Sequence, residues 1–396
     1  MDQLALSSLP SVGVVSPATR QRRRLLRIGK QALIVGCALG VVVWFAFSVR
    51  AGLARNGIAF DMGFLAQPAG FDISEGLVIT ADGLRHFMSS DSNAAALLTG
   101  FVNTIKVASL AIVLSTVLGT LVGAGRLSHN WLVRQIAFGF VEFVRNTPML
   151  IQLVFWYFAV VLKLPGLSDA TRWFGGIIAS QQGVFVPGVV VAEGGSVTSA
   201  WVFICGTACF AAALAAPRAR RWLLGSAMVC LAACVALGFP LRWSLPAVDG
   251  FNVNGGFGAS PEFVALLLGL AVYTAAFIAE IVRGAIMALP KGQWEAAAAL
   301  GMSRRSTFRD VVVPQVFRVV LPAFGNQYIS LAKTTSLGIA IGYPDLFNVY
   351  GTVANQSGRS LEGVIVVMLA YLVLSWFISA IVNFFNRRML AAGGAR

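Results

Sequence analysis

The chain has 396 residues, of which 57% are hydrophobic and only 12% are charged, and its mean hydropathy is +0.78. A soluble domain carries about 25% charged residues, so this chain cannot cover a water-facing surface, and it is far too apolar for disorder. Its outer surface must face lipid. The formal net charge is +14, which suggests nucleic acid only until the positions of the basic residues are known.

Crossing about 30 Å of hydrocarbon takes roughly 20 apolar residues in a helix, and about eight segments meet that need. The first is Gln31–Ser48 and the second Thr104–Gly125. A shorter third runs from Met149 to Leu162. The fourth and fifth, 197–216 and 222–239, form a hairpin around Arg218, Arg220 and Arg221. The sixth is Glu262–Ile286, the seventh Leu321–Ile341 and the eighth Val364–Phe385.

The arginines test this count. With the N-terminus cytoplasmic, the inside segments are 1–30, 126–147, 217–221, 287–320 and 386–396, and each of them is basic. They hold Arg20, Arg22–Arg24, Arg27 and Lys30, then Arg126, Arg134 and Arg145, the hairpin triplet, Lys291, Arg304, Arg305, Arg309 and Arg318, and finally Arg387, Arg388 and Arg396. Positive loops face the cytoplasm, so both termini are expected inside. The basic balance is then a topology signal and a contact with anionic lipid headgroups, not a nucleic-acid footprint. The apolar run after Arg27 is too long for the h-region of a signal peptide and reads as an uncleaved first helix.

The composition also bounds the chemistry. The five cysteines, Cys37, Cys205, Cys209, Cys230 and Cys234, lie inside apolar runs, where small apolar packing is a better reading than a disulfide or a metal site. Only His86 and His129 are present, and the chain has no Gly-x-x-x-x-Gly-Lys-Ser/Thr phosphate loop. No cofactor or metal is expected, and any ATP must be bound by another chain. The outside segment 50–100 is rich in Gly and Phe and fits a docking surface or a plain linker equally well.

The inside segment 287–320 is distinctive. It contains Pro290-Lys291-Gly292-Gln293-Trp294-Glu295-Ala296-Ala297-Ala298-Ala299-Leu300-Gly301. Proline at the start, glutamate in the first turn and glycine at the end predict a short helix whose small residues allow close approach by a partner. A mechanical coupling element has this form; an ordinary solvated loop fits the same residues.

Glu295-Ala296-Ala297, Gly301 and Val311-Val312-Val313-Pro314 resemble the Glu-Ala-Ala…Gly…Ile-x-Leu-Pro loop of ABC importer permeases, with Val311 and Val313 in place of Ile and Leu. Arg145-Asn146-Thr147-Pro148 with Gln152, Glu280-Ile281-Val282-Arg283-Gly284 and Asn326–Leu337 are similar to further stretches of the polar amino-acid uptake branch. The matches cover residues 99–165 and 260–388. With helix one and the 4–5 hairpin added, the layout is most like the Q-type permease of general L-amino-acid transporters.

The resemblance implies an all-α, multi-pass protein of the bacterial inner membrane, with a type I importer core of five helices. The expected organisation is a basic tail (1–30), an extra helix (31–48), a periplasmic segment (49–98), core residues 99–165, an inserted region with a hairpin (166–260), core residues 261–388 with the coupling loop 287–320, and a tail (389–396). It further implies a cytoplasmic ABC ATPase dimer, a second and non-identical permease, and a periplasmic amino-acid-binding protein. ATPase coupling falls on Gln293, Glu295, Ala296, Ala297, Leu300, Gly301 and Pro314. The reaction class is transport, not catalysis. An intramembrane enzyme would show clustered His, Asp or Glu, and a nucleotide-independent channel or scaffold would leave the Ala-rich loop unexplained.

Polar residues inside lipid cost about 2.5–3.5 kcal/mol each when charged and exposed. Asn326, Gln327, Ser330, Lys333 and Ser336 in the seventh helix therefore line the path or bond between helices. Glu280 meets the substrate ammonium, or pairs with Arg283 or Lys333. Gln152 and Thr147 read as packing or capping groups, and Gly119 and Gly123 as a close helix contact.

Overall fold

The computed structural model describes residues 17–55, 60–80, 83–173, 176–191, 202–203, 205–210, 213, 220–236, 241–250 and 252–393. The chain divides into two units, Met1–Met62 and Gly63–Arg396. In the first, α1 (Pro17–Arg55) is one helix of 39 residues that contains the expected first span. Leu33, Ile34, Trp44, Phe45 and Phe47 along it are exposed, as suits a helix solvated by lipid.

The second unit is a helical core. α2 is Asn93–Arg126, capped by the Ser92 hydroxyl, which accepts from the Ala95 N–H at 3.2 Å. It starts well before the expected Thr104, because Asn93, Thr99, Gly100 and Asn103 are buried against protein there. Hydropathy finds the stretch that crosses lipid, not the whole helix. α3 (Trp131–Asn146) replaces an expected loop. It buries Ala137, Val141 and Val144, a spacing of four and three that defines one face.

The third span is α4 (Met149–Phe155), continued by tighter and wider turns to Lys163. It meets α3 at a 106° bend. Pro148 dictates that bend by forcing Thr147 into extended backbone, φ −102° and ψ 128°. Gln152 secures it by donating to the Val144 and Thr147 carbonyls at 2.8 and 3.0 Å.

Short antiparallel strands are added to the helical plan in the segments expected outside. β1 (Leu77–Thr80) pairs with β2 (Gly83–His86). Beyond α4 come β3 (Thr171–Trp173), β4 (Ile177–Ser180), β5 (Gly183–Val186) and β6 (Gly188–Val191). After α5 (Arg220–Ala236) come β7 (Leu241–Ser244), β8 (Ala247–Asp249), β9 (Asn252–Asn254) and β10 (Phe257–Ala259). One sheet has the order β10-β5-β4-β3, and β6 pairs with β7, so the two strand clusters flanking the inserted hairpin bond to each other.

Most of the fourth span and the Arg218 turn lie outside the described residues. A Cβ on Gly206 would stand 3.0 Å from that of Cys230, and Cys234 is buried whereas Cys205 is exposed, so Cys230 and Cys234 act as small packing groups.

α6 (Pro261–Met287) begins at its Ser260 cap and Pro261. The expected seventh span falls on α8 (Val313–Thr334) and a following 3-10 segment to Ile341. The eighth lies within α10 (Ser360–Gly393). Between them α9 (Leu346–Ser357) occupies what read as an outside loop. α2 and α6 form the centre of the core, where Val107, Ala108, Ala111, Leu266 and Leu270 are buried with Leu153 and Leu331.

Candidate functional site: the α7 loop and the polar face of α8

Three residues past the end of α6, Pro290 sets φ −58° ahead of α7 (Lys291–Ala299). α7 stops at Gly301, whose φ is +70°. The Gly301 N–H donates to the Ala298 carbonyl at 3.0 Å and the Met302 N–H to the Ala297 carbonyl at 3.1 Å, the paired bonds of a Schellman ending. No atom lies within 4 Å of a Cβ built on Gly301; its left-handed backbone alone calls for glycine.

Ser303 caps the next turn, accepting from the Ser306 N–H at 3.2 Å. A wide-turn stretch, Thr307–Val312, then leads into α8, with Pro314 in its first turn. The Gln315 side chain donates to Gln293 at 3.0 Å and joins the two arms of the loop.

α7 presents nearly all of itself to solvent. Leu300 is 80% exposed and Trp294 39%, and Gln293, Glu295, Ala296, Ala298 and Ala299 are exposed too. Ala297 is the exception at 3%. It lies between Trp294 and Leu300 around the helix, so the side of α7 turned away from it carries Gly292, Glu295 and Ala299, all exposed.

On α8, Asn326, Ser330 and Lys333 are exposed, while Gln327, and Ser336 in the 3-10 segment that follows, are half-buried. The steps of four and three place the exposed trio on one helix face. The Ser336 hydroxyl donates to the Lys333 carbonyl at 2.9 Å and the Thr334 hydroxyl to the Ser330 carbonyl at 2.9 Å, so these groups are satisfied within the helix. Among the described residues, Lys333 has no carboxylate at ion-pair distance.

Glu280 is elsewhere. It pairs with Arg283 at 2.9 Å and with Arg126 of α2. Arg283 was one expected partner; Lys333 is not brought to it, and Arg126 was not foreseen.

Two further polar sites escaped sequence reasoning. At the expected outer end of α2, Lys106 pairs with Glu75, and its ammonium stands 4.5 Å from the Phe263 ring and 5.0 Å from Phe257. Glu75 also accepts from the Ser260 hydroxyl at 2.8 Å, and its backbone carbonyl accepts from Asn103 at 2.7 Å. Segment 63–92 is thereby tied to α2 and α6. Phe64, Ala69, Ile73 and Phe87 pack under it against Leu97, Val349 and Val367. A lone lysine two residues into a predicted span was the available signal.

The second is Asp345, wholly buried at the start of α9. It accepts from the Asn348 N–H at 2.9 Å and from the Tyr371 hydroxyl at 3.3 Å. Burial pushes its carboxyl up to about 6. Among the described residues, no group of three or more His, Cys, Asp or Glu side chains is arranged to hold a metal ion.

Residues 115–391 match the family described as binding-protein-dependent transport system inner membrane component. The chain belongs to that family. This membership agrees with the resemblance carried by the Glu295, Arg145 and Glu280 motifs. Relatives of nearly the same length extend it. The putative amino-acid ABC transporter permease protein YhdX of Escherichia coli is 37% identical over 91% of this chain and 93% of its own. The general L-amino acid transport system permease protein AapQ of Rhizobium johnstonii is 39% identical over 91% of each. The glutamate/glutamine/aspartate/asparagine transport system permease protein BztB of Rhodobacter capsulatus is 32% identical over 92% of this chain and 93% of its own. The matched region spans the positions of the inserted segment as well as most of the core.

Proposed function

We propose that this chain is one permease subunit of an ATP-driven importer of L-amino acids, set in a bacterial inner membrane with both termini cytoplasmic. The observation that carries the reading is α7, a rigidly ended helix in a loop between two spans, with its outer face uncovered. Three relatives named as amino-acid permeases support the substrate class.

In this reading α7 inserts into a cleft of a cytoplasmic ATPase dimer. Gln293, Glu295, Ala296, Ala298 and Leu300 meet the ATPase; Ala297, Gly301 and Pro314 hold the shape of the loop. A second, non-identical permease covers the face of α8 that carries Asn326, Ser330 and Lys333, with Gln327 and Ser336 at its margin. Exposed polar groups at membrane depth require protein or water opposite them, which supports a path between the two permeases. The Lys333 ammonium, with no carboxylate at ion-pair distance among the described residues, is suited to a substrate carboxylate. Closure of the ATPases on ATP draws the α7 helices together and moves the path between inward and outward states, while a periplasmic binding protein delivers the amino acid.

The test is purification of the tagged chain from its own operon products, followed by reconstitution with the binding protein. Co-purifying ATPase and permease chains and ATP-dependent uptake of labelled L-amino acids are expected. A chain that purifies without a nucleotide-binding partner and moves solute without ATP would overturn the reading.

A further inference from the structure

Glu280 stands two turns before the end of α6, the helix that leads into α7. Its carboxylate is held by Arg283 at 2.9 Å and by Arg126, with side-chain exposures of 18% for Glu280, 31% for Arg283 and 11% for Arg126. Arg126 is the last residue of α2, and its guanidinium also lies 5.0 Å from the Phe138 ring of α3. Arg145, in the last turn of α3, stands 5.4 Å from the Phe277 ring of α6. One carboxylate therefore ties the end of α2 to α6, with α3 packed against both through Phe138 and Arg145. One turn further along, a Cβ on Gly123 would lie 2.7 Å from the Ala279 carbonyl oxygen, so the ion cluster closes a seam already in backbone contact.

The charge balance makes this carboxylate decisive. Two guanidiniums flank it in a half-buried gap. Arg145 adds to the repulsion on Arg126 and Glu142 offsets part of it. Glu280 is the carboxylate in direct contact with both guanidiniums, and without it they would repel each other. We propose that Glu280 is a positioning residue that fastens the stem of the α7 loop to α2 and, through Arg126, to α3, so that a displacement of α7 moves the three helices as one body. This rests on the reading of α7 as the ATPase-coupling helix.

The experiment uses the whole reconstituted importer, with a cysteine at Ala298 for cross-linking to the ATPase. Glu280→Gln keeps the shape but removes the charge. The expected result is unchanged cross-linking with amino acid moved per ATP hydrolysed reduced about fivefold or more, the scale of an ordinary coupling free energy. Exchanging the charges, Glu280→Arg with Arg126→Glu, should restore most of that ratio, which a merely structural loss would not allow. An unchanged ratio in Glu280→Gln overturns the proposal. Should Glu280→Gln fail to assemble, the exchanged pair decides: a restored ratio supports the proposal and a low ratio in an assembled complex overturns it. Failure of wild-type α7 to cross-link is distinguishable, since it removes the coupling reading itself.

Discussion

A Cβ placed on Gly119 of α2 would stand 2.7 Å from the Ala275 carbonyl oxygen of α6. The same holds one turn on, where Gly123 faces the Ala279 carbonyl at 2.7 Å. The two helices touch through their backbones, with no side chain to yield on the glycine side.

Substitution at this seam must therefore separate the helices. Gly119→Val should cost about 1–3 kcal/mol or more from overpacking and lower the yield of folded protein in detergent. Gly139→Ala on α3 is the control, because nothing lies within 4 Å of a Cβ there. Thermal unfolding followed by size-exclusion chromatography checks both, and equal stability of the two variants would contradict the close contact.

The α7 loop separates shape from contact. Gly301→Val should strain the left-handed backbone by about 1–2 kcal/mol, whereas Gly301→Asn, which tolerates that region, should be milder. Leu300→Asp alters an exposed side chain and should leave folding intact while weakening ATPase co-purification. Ala297→Trp should perturb the loop itself, because Ala297 is buried. Normal docking in Leu300→Asp would place the contact elsewhere.

Lys333 offers a test of the path. Lys333→Met removes an ammonium with no paired carboxylate among the described residues, and helix packing should be unaffected. Uptake at low substrate should fall about tenfold or more, the worth of one charged hydrogen bond. Uptake kinetics on proteoliposomes measure this, and wild-type kinetics would assign Lys333 to helix contacts alone.

Asp345, just beyond the seventh span, should make stability depend on pH. Burial raises its carboxyl from 3.8 to about 6, so between those values the folded state holds more protons than the unfolded state. Stability contributed by this group is then full below pH 3.8 and declines as pH rises towards about 6. Asp345→Asn keeps an N-cap and should flatten that decline. Melting temperatures across pH 4–7 for both proteins are the measurement, and parallel curves would exclude Asp345 as the source.

Much of this protein was legible before any coordinates. Lipid-facing surface followed from the scarcity of charge. The α7 helix with its Gly301 ending followed from Pro290 and Gly301, because helix ends are signalled by local backbone preferences, whereas Glu295 lies beyond the first turn expected for it. The Gly119–Gly123 seam was readable from the small residues themselves, since two glycines a turn apart suit the close approach of a neighbouring helix.

Tertiary structure decided the rest. α9 and the outer turns of α2 were missed because hydropathy registers contact with lipid, and these residues are covered by protein instead. The 106° bend between α3 and α4 turned an expected loop into an amphipathic helix. The partners of Glu280 and Lys106 come from distant stretches, Arg126 and Glu75. Ala297, within the same Ala run as its exposed neighbours, turned inward. Sequence specifies which residues need a partner or a turn; which atoms satisfy them depends on how the helices cross, and that is set only when the chain packs.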